Sequence, residues 1–102
     1  MIIISKNLDS INNTEHIMNI FKGADGCKIQ VTFTNGSGCQ IARYSTPAEA
    51  QTAFEMLATA MLKDITGFSM PSDETVKAEM LKTIVPKHRA ENGKKTVRRG
   101  GS

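Results

Sequence analysis

Residues 17–45 read IMNIFKGADGCKIQVTFTNGSGCQIARYS, and the fold turns on how this stretch pairs with itself. Asp25-Gly26 is a strong signal for a two-residue hairpin loop, whose central positions both take positive φ. Closed there, the hairpin sets Ala24 against Cys27, Ile20 against Val31 and Met18 against Phe33. Asn35-Gly36-Ser37 marks the next turn, and a three-residue loop sets Phe33 against Cys39 and Val31 against Ile41. The two registers agree on one face: Met18, Ile20, Ile29, Val31, Phe33, Cys39 and Ile41 all point the same way. A one-residue slip in either pairing would send part of this set to the other side. The stretch therefore predicts a three-stranded antiparallel β-meander over 17–23, 28–34 and 39–45.

Before it, Met1-Ile2-Ile3-Ile4-Ser5 predicts a further strand, with a short extended piece around Ser10-Ile11-Asn12. After it the period changes. Thr46-Pro47-Ala48-Glu49 fits a capping box: Thr46 at the N-cap, Pro47 at the first helical position and Glu49 reaching back. Ala50, Ala53, Phe54, Leu57 and Met61 follow at helical spacing, and Gly67 is the expected stop. This helix is the natural cover for the meander's apolar face. Ser72 caps a second helix whose stripe is Val76, Met80, Leu81 and Ile84, and Pro86 is its expected end. Between the helices, Ile65–Pro71 reads as a linker in which Phe68 and Met70 plug the core edge or dock elsewhere.

The predicted architecture is α+β: an antiparallel meander of three to five strands with a helix on one face, a second helix and a basic tail. One domain spans 1–85, and residues 86–102 read as a flexible tail. The chain has 102 residues, 39% of them hydrophobic and 5% aromatic, enough for one modest core. Its net charge of +3 is unevenly spread. Residues 86–102 carry six cations against Glu91, a net +5, which leaves −2 for residues 1–85. The opening MIII is far shorter than a signal-peptide core of about 7–15 residues or a membrane span of about 20, so cytoplasm is the expected compartment.

Catalytic and metal chemistry find no pattern. Cys27 and Cys39 lie six residues apart along the expected ladder, about 20 Å, where a disulfide needs Cα atoms within about 7 Å. They read as structural thiols in a reducing compartment. His16 and His88 stand alone, and no metal-ligand spacing occurs. Gly23-Ala24-Asp25-Gly26-Cys27-Lys28 lacks the phosphate-loop spacing and leads into a strand. The carboxylates Glu49, Glu55, Asp64, Asp73, Glu74 and Glu79 fall mostly on helix starts and polar helix faces. No enzyme and no cofactor is expected.

The meander's second face points to binding. Ile17, Phe21, Ala42 and Tyr44 share it with Lys28, Gln30, Thr32, Thr34 and Gln40. An apolar patch rimmed by polar groups marks a contact surface, so these four are the expected protein-interaction face, with Ile3 adding to it. Either the second helix covers that face, or a partner or a second copy does. The tail offers an alternative from another class. Lys94, Lys95, Arg98 and Arg99, with Lys28, could neutralise nucleic-acid phosphates, while Phe21 and Tyr44 stack bases.

Met1-Ile2-Ile3-Ile4-Ser5, Asn19-Ile20, Asn35-Gly36-Ser37, Tyr44-Ser45-Thr46, Ala50 and Leu57 together resemble a loose group of small uncharacterised proteins of Gram-positive bacteria and their phages. The likeness covers residues 1–62. It implies a meander-plus-helix fold and a small accessory role, and a phage setting implies a protein that works by binding and blocking. No functional residue transfers with it.

Overall fold

The computed structural model describes the backbone of residues 1–92 and the side chains of residues 1–82. The strands are β1 (Ile2–Ile4), β2 (Ile11–Asn13), β3 (Ile17–Lys22), β4 (Lys28–Phe33), β5 (Gly38–Arg43) and β6 (Gly67–Ser69); the helices are α1 (Pro47–Leu62) and α2 (Asp73–Asn92). A single 3-10 turn, Thr14–His16, links β2 to β3. Two three-stranded sheets form, β3-β4-β5 and β2-β1-β6. The fold is α+β, as the change of period at Thr46 implies.

The first hairpin keeps its expected register by a different loop. The Gly23 N–H donates to the Lys28 carbonyl at 2.9 Å, so four residues rather than two make the connection. Only Gly26 has positive φ, at 76°, and the Asp25 carboxylate accepts the Cys27 N–H at 2.9 Å. Ile20 still faces Val31, because both loops close the same ladder. Next to the chain reversal at Phe33, the ladder loses one residue of parity. Ile17 faces Phe33 while Asn19 faces Thr32, so Met18 is bulged out and 66% exposed instead of lying in the core.

The second hairpin keeps a three-residue loop but closes it one position earlier than expected. The Phe33 N–H donates to the Ser37 carbonyl at 2.7 Å, so Thr34, Asn35 and Gly36 make the connection and the register shifts by two. Val31 faces Cys39 and Thr32 faces Gly38. The Gly36 N–H donates to the Phe33 carbonyl at 2.9 Å, and Gly36 takes φ of 92°. An even slip preserves the faces, so Ile29, Val31 and Ile41 are still buried together. A bulge then follows, with Gln30 facing Gln40 but Ile29 facing Ala42, and Ile41 left as the extra residue.

The second sheet answers what the amino-terminal strand pairs with. Ile3 faces Asn12 antiparallel and Phe68 parallel. Gly67 therefore begins β6 instead of stopping α1, and the stretch read as a linker is a strand. Ile3 is fully buried, not part of an exposed patch, and Met70 is buried behind it. Phe68 packs against the same core.

Helix α1 starts as expected, with the Thr46 hydroxyl accepting the Glu49 N–H at 3.2 Å. It stops at Leu62, five residues before Gly67. Ile65 N–H donates to the Ala60 carbonyl and Asp64 N–H to the Met61 carbonyl, both at 3.2 Å, while Asp64 takes φ of 59°. This is a Schellman closure with an aspartate in the position glycine usually holds. Ala50, Ala53 and Leu57 seat the helix on Ile29, Val31 and Ile41. Small side chains at the first two of these positions let it lie close.

Helix α2 begins after Ser72, whose hydroxyl accepts the Thr75 N–H at 3.2 Å. It packs beside α1 through Val76 and Met80, and not over the second face of the meander. It runs on through Pro86 to Asn92, past the expected stop. A proline removes one N–H from the helical ladder while its neighbours keep theirs. No helix among the described residues is long and apolar enough to cross a membrane.

Candidate interaction surfaces

The four residues expected to form one exposed face do not come together. Ala42 and Tyr44 are each 3% exposed, Ile17 is half-buried against the core, and only Phe21 remains open, at 37%. The cause is the pair of bulges. Beyond Ile41, Ala42 and Tyr44 turn to the covered side, and the bulge at Met18 does the same for Ile17. The sequence carries a trace of this. Ile17-Met18 and Ile41-Ala42 are consecutive apolar pairs that break the alternation, although Ile20-Phe21 is a third such pair and pairs without a bulge.

Tyr44 is a structural anchor. Its hydroxyl donates to the Pro71 carbonyl at 2.7 Å. The Lys6 ammonium sits 4.4 Å from the ring centroid and donates to the Arg43 carbonyl at 2.7 Å and to Asp73 at 2.8 Å. Burial, and then the neighbouring Asp73 charge, push the Tyr44 phenol above its ordinary range. This cluster ties β5, the loop after β1 and the start of α2 together.

The second face of the meander stays uncovered by either helix, but it is polar and cationic. Phe21 faces Gln30, Gln30 faces Gln40, and Lys28 faces Arg43 directly across β4 and β5. The nearest acid, Asp25, lies in the hairpin loop at 3.6 Å from the Arg43 guanidinium. The Cys27 N–H, and behind it the Arg43 and Lys28 charges, hold the Asp25 carboxyl below its usual range. The other expected nucleic-acid contacts, Lys94, Lys95, Arg98 and Arg99, lie outside the described residues.

Two apolar surfaces had no counterpart in the sequence reading. The first is a groove of about 550 Å³ between α1, the β6 segment and α2. Met56, Ala60, Ile65, Phe68 and Met80 supply its apolar lining, and Thr52, Glu55, Thr59, Lys63 and Glu79 its polar rim. Three separate elements contribute, so no local pattern announces it. The second lies on the outer side of the β2-β1-β6 sheet. Ile4 pairs with Ile11 there, Ile2 shares that side two residues along, and Ile11 is 71% exposed.

Among the described residues no group of three or more His, Cys, Asp or Glu side chains could hold a metal ion. Cys27 and Cys39 are free thiols. Glu49 does not reach back along its helix. Its buried Oε1 has no hydrogen-bond partner, and its Oε2 lies 4.0 Å from the Lys77 ammonium on α2. Compared with protein-family models, curated proteins and solved structures, the chain gives no match.

Proposed function

We propose that this chain is a non-enzymatic protein-interaction module that receives an apolar segment of a partner protein in the groove between α1 and α2. The groove's lining carries the proposal. Met56, Phe68 and Met80 present soft, adaptable side chains inside a polar rim, the composition of a protein contact rather than of a cofactor cradle. Because α1 lines it from Thr52 to Lys63, with Glu79 and Met80 of α2 closing the other side, a segment with apolar residues at helical spacing suits it. In the bacterial or phage setting that the resemblance implies, such a module acts in the cytoplasm as an accessory inhibitor or regulator by occupying its partner.

The test is to pan a random peptide display library against the immobilised chain and against the Thr59→Trp variant. Thr59 is an exposed groove residue, so the indole fills the groove without entering the core. Enriched peptides should carry two or more apolar residues at helical spacing and lose binding to the variant. No enrichment, or equal binding to the variant, would remove the groove as the site.

Self-association is a second reading, favoured by the isoleucine face. Exposed apolar patches on a sheet seek a cover, and a second copy of the chain presents the same patch by symmetry.

A further inference from the structure

We infer that the uncovered face of the meander is a binding surface for single-stranded nucleic acid, separate from the groove, with Phe21 stacking a base and Lys28 and Arg43 holding phosphates. The first support is charge. Strands β3, β4 and β5 contain Lys22, Lys28 and Arg43 and not one aspartate or glutamate. Lys22 pairs with Ile29, lies on the covered side and reaches Gln51 on α1, whereas Lys28 and Arg43 stand side by side on the uncovered face. The pair between Arg43 and Asp25 is about half exposed on both sides, and such a pair is weak enough to yield to a phosphate.

The second support is the arrangement of the remaining side chains. Phe21 lies across from Gln30, which in turn lies across from Gln40, with Thr32 farther along the same strand. Amides and a hydroxyl can meet base edges as donors and acceptors, and the ring supplies a stacking surface open to solvent. Shape selects the strandedness. Three strands of six residues give a platform about 10 Å across and about 20 Å long. A duplex is read by an element that enters its groove, and both helices lie on the other side of this sheet. Unstacked bases can lie on such a surface directly.

The experiment is a fluorescence-anisotropy titration of the full chain with a labelled oligothymidine, repeated over a range of salt concentrations. Binding should weaken as salt rises. Lys28→Gln and Arg43→Gln should each flatten the log–log salt slope by about 0.7, the share of one phosphate on a single strand. Phe21→Leu keeps apolar bulk but removes the stacking surface, and should weaken binding roughly 5- to 100-fold with the slope unchanged. Circular dichroism establishes that each variant is folded. The inference fails if the wild-type chain does not bind at low salt, or if the three variants bind as it does. It also fails if only a full-length variant with Lys94, Lys95, Arg98 and Arg99 changed to glutamine loses binding. Equal competition by polyglutamate would show a general polyanion surface and overturn it too. Thr59→Trp should leave this binding intact, so its outcome and that of the groove are read separately.

Discussion

The amide of Lys6 donates to the carbonyl of Ile41 at 2.8 Å, and Ile41 is the residue that the bulge in β5 leaves out of the pairing. One extra residue thus does two things. It ties the loop after β1 to the edge of the meander, and it rotates Ala42 and Tyr44 into the core. The anchor at Tyr44 depends on that rotation.

Tyr44→Phe should therefore destabilise the fold although the ring stays in place. The Pro71 carbonyl loses its donor at a buried position, which costs about 1–3 kcal/mol. Urea denaturation should show a lower midpoint with an unchanged slope. The two proteins should also differ in alkali. Because the folded-state phenol titrates above its ordinary value of about 10, the unfolded chain loses that proton first. Stability linked to Tyr44 is complete below pH 10 and declines as pH rises from there toward the folded-state value. Tyr44→Phe should lack that component of the decline.

Gly38→Ala should be poorly tolerated. A Cβ at Gly38 would stand 2.8 Å from the Val31 carbonyl oxygen, a backbone atom that cannot turn aside. The loss should exceed about 1 kcal/mol, the lower range of overpacking penalties. Gly67→Ala is the control, since its nearest contact would be 3.9 Å away. Equal thermal midpoints for the two variants would show that the close approach at Gly38 does not matter.

Asp64→Gly and Leu8→Gly should each raise stability. Both residues hold left-handed backbone, at φ of 59° and 61°, where a side chain is strained and glycine is not. Leu8 is 76% exposed, so little packing is lost with it. The gain is bounded at about 1 kcal/mol, because glycine also loosens the unfolded chain. A rise in thermal midpoint checks it.

If the isoleucine face closes on a second copy, sedimentation equilibrium should give a mass that grows with concentration, and Ile11→Lys should abolish the growth. Ile11 is on an edge strand with its side chain in solvent, so the change leaves the core alone. A concentration-independent monomer mass for the unsubstituted chain would rule the association out.

Much of the fold is local and was therefore legible. The turn residues Gly26 and Gly36 mark reversals because few residues accept their backbone angles. Thr46-Pro47 starts a helix because the chain itself supplies the cap. Period-2 alternation assigns Ile29, Val31 and Ile41 to one side under any even register, which is why a register two residues from the expected one left them together. The candidate surfaces were less legible. Phe21 and Lys28 were placed on the correct face, whereas Ile17, Ala42 and Tyr44 were not, since Ile17 and Ala42 each flank a bulge and Tyr44 follows one along the chain.

What the residues determined by themselves is the class of each long element and the parity of the central strand, both set by interactions within a few positions of the chain. Tertiary structure alone decided which strand Ile3 pairs with, where α2 lies, and on which side Tyr44 ends. Those outcomes rest on contacts between positions as distant as Ile3 and Phe68, or Lys6 and Asp73. Local propensity is blind to such pairings, because their free energy appears only when both partners are already in place.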